Sequence, residues 1–85
     1  MLFKGTIIHK TNEPFAIVWA NYEDLRSKAS RIAYLKLCQP YFPDLPIILV
    51  SEDEEGNPIY FGDTTLVRWL ESQHALHLEW TNYGN

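Results

Sequence analysis

The chain has 85 residues, 46% of them hydrophobic and 14% aromatic, with seven basic and eleven acidic side chains for a formal net charge of -4. A chain this short buries only roughly 60 to 65% of its extended surface, so residues 1–85 are read as a single domain with a thin core, too hydrophobic for a disordered chain. The acidic balance argues against nucleic acid, whose phosphates ask for a basic surface, and a lone cysteine, Cys38, rules out an intrachain disulfide framework and suits a reducing, cytoplasmic setting.

The opening residues, MLFKGTIIHK, carry no apolar core with a small-residue cleavage pattern, and no apolar run approaches the ~20 residues of a membrane helix. Neither a leader nor a membrane span is expected. Leu2 to His9 alternates as a strand, with Phe3, Gly5, Ile7 and His9 on one side and Leu2, Lys4, Thr6 and Ile8 on the other. Its polar members suggest a sheet edge or a half-exposed strand. Lys10 to Pro14 has turn chemistry, and Phe15 to Ala20 is apolar on both faces, as an interior strand would be.

Asn21 is placed to cap a helix over about Tyr22 to Cys38, with Glu23 and Asp24 near its positive end. Tyr22, Leu25, Ala29, Ile32 and Ala33 form its apolar stripe. Leu35, Leu37 and Cys38 fall off that stripe, so the last turn needs cover from the loop that follows. In that loop, Gln39 to Pro46, Pro40, Pro43 and Pro46 recur every third residue around Tyr41 and Phe42. This is the period of a polyproline ligand, weighed against a stiff connector whose aromatics fold back over the helix end; the connector is preferred.

Ile47 to Val50 and Ile59 to Phe61 flank a charged turn ending at Gly56-Asn57, a hairpin signal. Asp63 or Thr64 then caps a second helix, whose broad apolar face holds Leu66, Val67, Trp69, Leu70 and His74. Ala75 to Tyr83 returns to a period of two, with Leu76, Leu78 and Trp80 opposite His77, Glu79, Thr81 and Tyr83, which suits an edge strand with one wet face. The predicted order is ββαββαβ: an α+β two-layer sandwich with a mixed or antiparallel sheet of about five strands and two helices.

Chemistry-bearing motifs are sparse. Glu52, Asp53, Glu54 and Glu55 lack the alternating spacing of a calcium loop and read as a solvated turn, with docking to a basic partner as their sharper use. Arg26, Lys28, Arg31 and Lys36 scatter around the first helix instead of forming a phosphate-tracking stripe. His74, His77 and Glu79 straddle the predicted helix end, which breaks the geometry a zinc site needs. Cys38 needs an activating base to act as a nucleophile, and no glycine-rich phosphate loop or nucleophile elbow is present. No catalytic residue, metal or cofactor is assigned, and an enzyme is not the favoured reading.

Aromatic side chains outside the core are the remaining candidates, because tryptophan and tyrosine concentrate at interfaces. The favoured function is a small interaction or regulatory module that binds a protein partner, or a second copy of itself, through an edge strand and the aromatic C-terminal segment. Its candidate contacts are Trp80, Tyr83, Tyr41 and Phe42, with Glu54 and Glu55 at the acidic tip. The alternative is a small-molecule or enzymatic pocket between sheet and helices using Cys38 or a histidine.

Overall fold

In the computed structural model the chain forms one five-stranded mixed sheet with two α-helices, described for residues 2–9, 12–73 and 78–84. The strands are β1 (Leu2–Ile8), β2 (Phe15–Trp19), β3 (Ile47–Glu52), β4 (Pro58–Phe61) and β5 (Thr81–Gly84); the helices are α1 (Lys28–Cys38) and α2 (Thr64–Glu71). In space the strands run β4-β3-β2-β1-β5. All neighbours are antiparallel except β2 and β3, which run parallel with α1 as their crossover. Parallel pairing cannot be made by a tight turn and needs such a connection. The α+β class, the mixed sheet and the order ββαββαβ are therefore those expected.

β2 takes the centre because it has no polar face to show to water. Phe15, Ala16, Ile17 and Val18 are all fully buried. Alternation sends Ala16 and Val18 to one side of the sheet, where they join Phe3, Leu25, Cys38, Phe42, Ile47 and Leu49, with Tyr34 and Leu35 of α1 packed on them. Phe15 and Ile17 go to the other side with Ile8, Ile48, Val50 and Leu70, covered by Leu66, Val67 and Trp69 of α2. Each helix thus covers its own face, which makes three layers in place of the two that the sequence predicts. The physical reason lies in β2 and β3: with both faces apolar, each side of the sheet must be dried, and full burial of one large aliphatic or aromatic side chain stabilises by roughly 1.5–3 kcal/mol.

The first helix differs from its expected form. Tyr22–Leu25 is a single 3-10 turn, and the α-helix starts only after Ser27, whose side chain accepts from the Ser30 N–H at 3.0 Å. Asn21 makes no side-chain capping bond. The restart shifts the helical phase, so the inward face of α1 is Arg31, Tyr34, Leu35 and Cys38, while Ala29, Ile32 and Ala33 are exposed. Arg31 is held inward by donating to the Leu25 carbonyl at 2.7 Å, with its guanidinium 4.7 Å from the Phe61 ring centroid. Tyr34 donates to the Trp19 carbonyl at 3.3 Å, tying α1 to the end of β2.

Residues 39–46 are not a polyproline helix. Gln39–Tyr41 is a 3-10 turn, Asp44 has a left-handed backbone (φ 64), and Phe42 is buried over the end of α1 as the connector reading expects. α2 is capped by Asp63, which accepts from the Leu66 N–H at 3.2 Å. β1, expected as a sheet edge or a half-exposed strand, is the latter: β5 adds to its outer side, while Lys4 stays exposed and Thr6 and Ile7 half-buried. β5 is the edge strand anticipated, though regular pairing begins only at Thr81. His74, Ala75, Leu76 and His77, which the sequence assigned to the helix end and the start of this strand, lie outside the described residues.

Candidate functional site

Three of the six candidate residues meet on the α1 side of the β5 edge. β1 and β5 pair so that Phe3 stands opposite Tyr83, and their rings stack with centroids 5.4 Å apart. The turn after α1 delivers Phe42 edge-on to Tyr83 at 4.9 Å, and Tyr41 edge-on to Phe3 at 5.2 Å and to Tyr83 at 6.2 Å. Edge-to-face and offset arrangements at these separations are the favourable ones for aromatic quadrupoles. Within the cluster the roles separate by exposure. Phe42 is 1% exposed and belongs to the core, Tyr83 is half-buried, and Tyr41 is 44% exposed. Of the three, Tyr41 and Tyr83 present ring to solvent, and the role expected of Phe42 passes to holding them in place.

Gly5 shapes this arrangement. It lies beneath the aromatic rings, and a Cβ there would stand 3.1 Å from the Phe42 ring and 3.2 Å from the Ile17 carbonyl. Phe3, which the sequence reading did not single out, is the cluster's anchor. Its signal was available in the alternation of β1, which puts Phe3 on the same face as Gly5, a bulky ring next to a gap.

Trp80 lies immediately before β5 and packs on the other face of the sheet, edge-on to Trp19 at 6.3 Å, with 37% of its surface exposed. The β5 edge therefore carries an aromatic on each face, Tyr83 with Tyr41 on the α1 side and Trp80 with Trp19 on the α2 side. Among the described residues, β5 pairs with β1 alone, so its outer backbone groups face away from the sheet. Thr81, Asn82 and Gly84 are exposed along it.

Glu54 and Glu55 are not part of this site. They sit in the β3–β4 turn, and β3 and β4 lie three and four strands from β5, roughly 14 and 19 Å at ~4.8 Å per strand. The turn is organised by Asp53, whose carboxylate accepts from the Asn57 N–H at 2.8 Å and the Glu55 N–H at 2.9 Å. Those bonds, the one from Asn57 foremost, hold the Asp53 carboxyl below the ordinary carboxylate range. The Asp53 carboxylate is thus taken up by backbone amides inside the turn.

Cys38 is fully buried in the α1-side core, and burial pushes its thiol up to about 11. It is a protonated, enclosed thiol at neutral pH, the opposite of the depressed value a nucleophilic cysteine needs. His9 is exposed beyond the end of β1, and His74 and His77 lie outside the described residues. Among the described residues, no group of three or more histidine, cysteine, aspartate or glutamate side chains comes together as a metal site. No helix among them is long and apolar enough to cross a membrane.

No family model matches the chain, and no solved structure matches it. Over 54 residues it is 41% identical to Insulin-like 3 of Bos taurus, a likeness that takes in 58% of this chain and 41% of that protein. The chain thus spans about two fifths of the length of the curated relative it matches.

Proposed function

We propose that this chain is a small cytoplasmic interaction module that takes up an extended protein segment along the outer edge of β5, with Tyr41, Tyr83 and Trp80 gripping the segment's side chains. The observation that carries the reading is a strand edge unpaired among the described residues, with exposed aromatic surface on both of its faces. An extended segment added to a sheet satisfies the edge's backbone groups, and its alternate side chains fall on opposite faces. At β5, each set meets an aromatic. Tyrosine and tryptophan give large contact area for few rotatable bonds, which is why they dominate binding hot spots. The cytoplasmic setting is supported by the single cysteine, which leaves no intrachain disulfide for an oxidising compartment to form.

The test is selection of extended peptides from a random displayed library, followed by affinity measurement on variants. Tyr41→Ala and Trp80→Ala should each weaken the selected peptides by about tenfold or more, the cost of truncating an interface hot spot, with the far-ultraviolet spectrum retained. Glu54→Gln with Glu55→Gln should leave affinity unchanged. A library that yields no binder, or binders indifferent to Tyr41→Ala and Trp80→Ala, would remove this reading.

A further inference from the structure

Resting on the reading of β5 as a docking edge, we infer that its occupant is a second copy of this chain, paired β5 to β5 and antiparallel about a two-fold axis through Asn82. The two five-stranded sheets then join into one continuous sheet, with α1 helices on one face and α2 helices on the other.

The two edges of the sheet are guarded unequally. β4 opens on Pro58, which has no N–H to offer, opposite Glu52 and beside the acidic turn Glu52–Glu55. Proline and charge are the usual means of blocking edge-to-edge pairing. β5, Thr-Asn-Tyr-Gly, has neither. The contrast bears directly on self-association, because a two-fold contact sets every residue near its own copy. In a chain of net charge -4 such a contact needs a patch without excess charge: the β5 strand carries no ionised side chain, and the two charges beside it, Lys4 across from Asn82 and Glu79 before the strand, are opposite in sign.

The register follows from the faces. A two-fold axis normal to the sheet keeps the α1 side of one copy level with the α1 side of the other, so residues that meet must share a face. Centred on Asn82, Tyr83 of one copy stands opposite Thr81 of the second, an aromatic and β-branched pair of the kind that stabilises antiparallel strands. The two Asn82 side chains face each other, and a carboxamide both donates and accepts. On the α2 side, position 80 stands opposite Gly84 of the second copy, which has no side chain to crowd Trp80 where it packs on Trp19. Four strand residues and their flanking aromatics fall short of the ~800 Å² per partner of a standard stable interface. The association is therefore a reversible, concentration-dependent equilibrium and not an obligate dimer.

Sedimentation of the full chain over a wide concentration range tests this. The mass should rise reversibly from one chain to two, and Asn82→Lys, which sets two ammoniums at the axis beside the Lys4 that stands across from position 82 in each copy, should weaken association about tenfold or more at low salt, with recovery in high salt as the repulsion is screened. Trp80→Ala should also weaken it, and Glu54→Gln at the far turn should not. Dimerisation unaffected by both Asn82→Lys and Trp80→Ala would overturn the inference, because the interface would then lie elsewhere. A chain that stays monomeric at every concentration would overturn it too. If that monomer still binds displayed peptides sensitive to Tyr41→Ala, β5 remains a docking edge for foreign strands, whereas a monomer that binds none takes the parent reading down as well.

Discussion

Gly5 and Cys38 show how much of this molecule turns on single side chains. The rings of Phe42 and Tyr83 can lie against the sheet because position 5 has no Cβ, and without that gap Tyr41 would lose the support that holds it at the edge. Tyr41, Phe42 and Tyr83 could be picked out from the sequence as aromatics near a loop and a chain end. Their convergence could not, since β1 and β5 are distant in sequence and their pairing is set by sheet order. Cys38 was legible as a small buried hydrophobe at the apolar end of a helix. Its burial has a consequence for stability. Desolvation pushes the thiol from an ordinary value of about 9 up to about 11. The folded chain then holds that proton more tightly than the unfolded chain does, so the contribution is complete below about 9 and is lost as pH climbs toward about 11. The loss is at most about 3 kcal/mol, as a displacement of this size converts at about 1.4 kcal/mol per pH unit. Burial raises Tyr34 and Tyr60 as well, which acts in the same direction. Urea midpoints measured from neutral to strongly alkaline pH should therefore fall for the wild type and fall less for Cys38→Ala, which starts lower because it leaves a cavity. Parallel profiles for the two proteins would contradict the enclosed thiol.

Among the elements, the hairpin β3–β4 and helix α2 follow their sequence signals closely, down to the Asp63 cap. Helix α1 does not, and the reason is local. A helix drawn from Tyr22 carries the phase set by Tyr22 and Leu25, but these residues belong to a 3-10 turn that ends before Ser27 restarts the helix. Ser27 was the available signal, a side chain able to cap and a residue that disfavours the helix interior. A helical phase set from Tyr22 turns the apolar stripe away from Tyr34, Leu35 and Cys38, the residues that α1 in fact turns inward. The predicted cap and the observed one differ in a measurable way. Ser27→Ala should cost about 1 kcal/mol, the usual worth of a capping side chain, whereas Asn21→Ala, an exposed residue with no capping bond, should stay within about 0.5 kcal/mol of wild type. Equal costs in urea unfolding would mean that the helix starts at Asn21 after all.

At the scale of the whole molecule, the doubly apolar β2 implies the architecture, since a strand with no polar face needs a layer on both sides. Local turn signals allow a mixed sheet but do not say which strands run parallel, and the β2–β3 pair that α1 joins is set by the fold as a whole. The same non-local pairing puts β1 inside the sheet and leaves β5 at its edge, in the position that the docking proposals depend on. Hydrogen exchange resolved to individual strands tests that position most directly, with the chain followed from dilute to concentrated solution and again with a saturating displayed peptide. The outward-facing amides of β5 within residues 81–84 should exchange more slowly as concentration rises or peptide is added, while those of residues 59–61 on the opposite edge keep their rates. Exchange at 81–84 that ignores both concentration and peptide, or protection gained at 59–61 instead, would contradict the account.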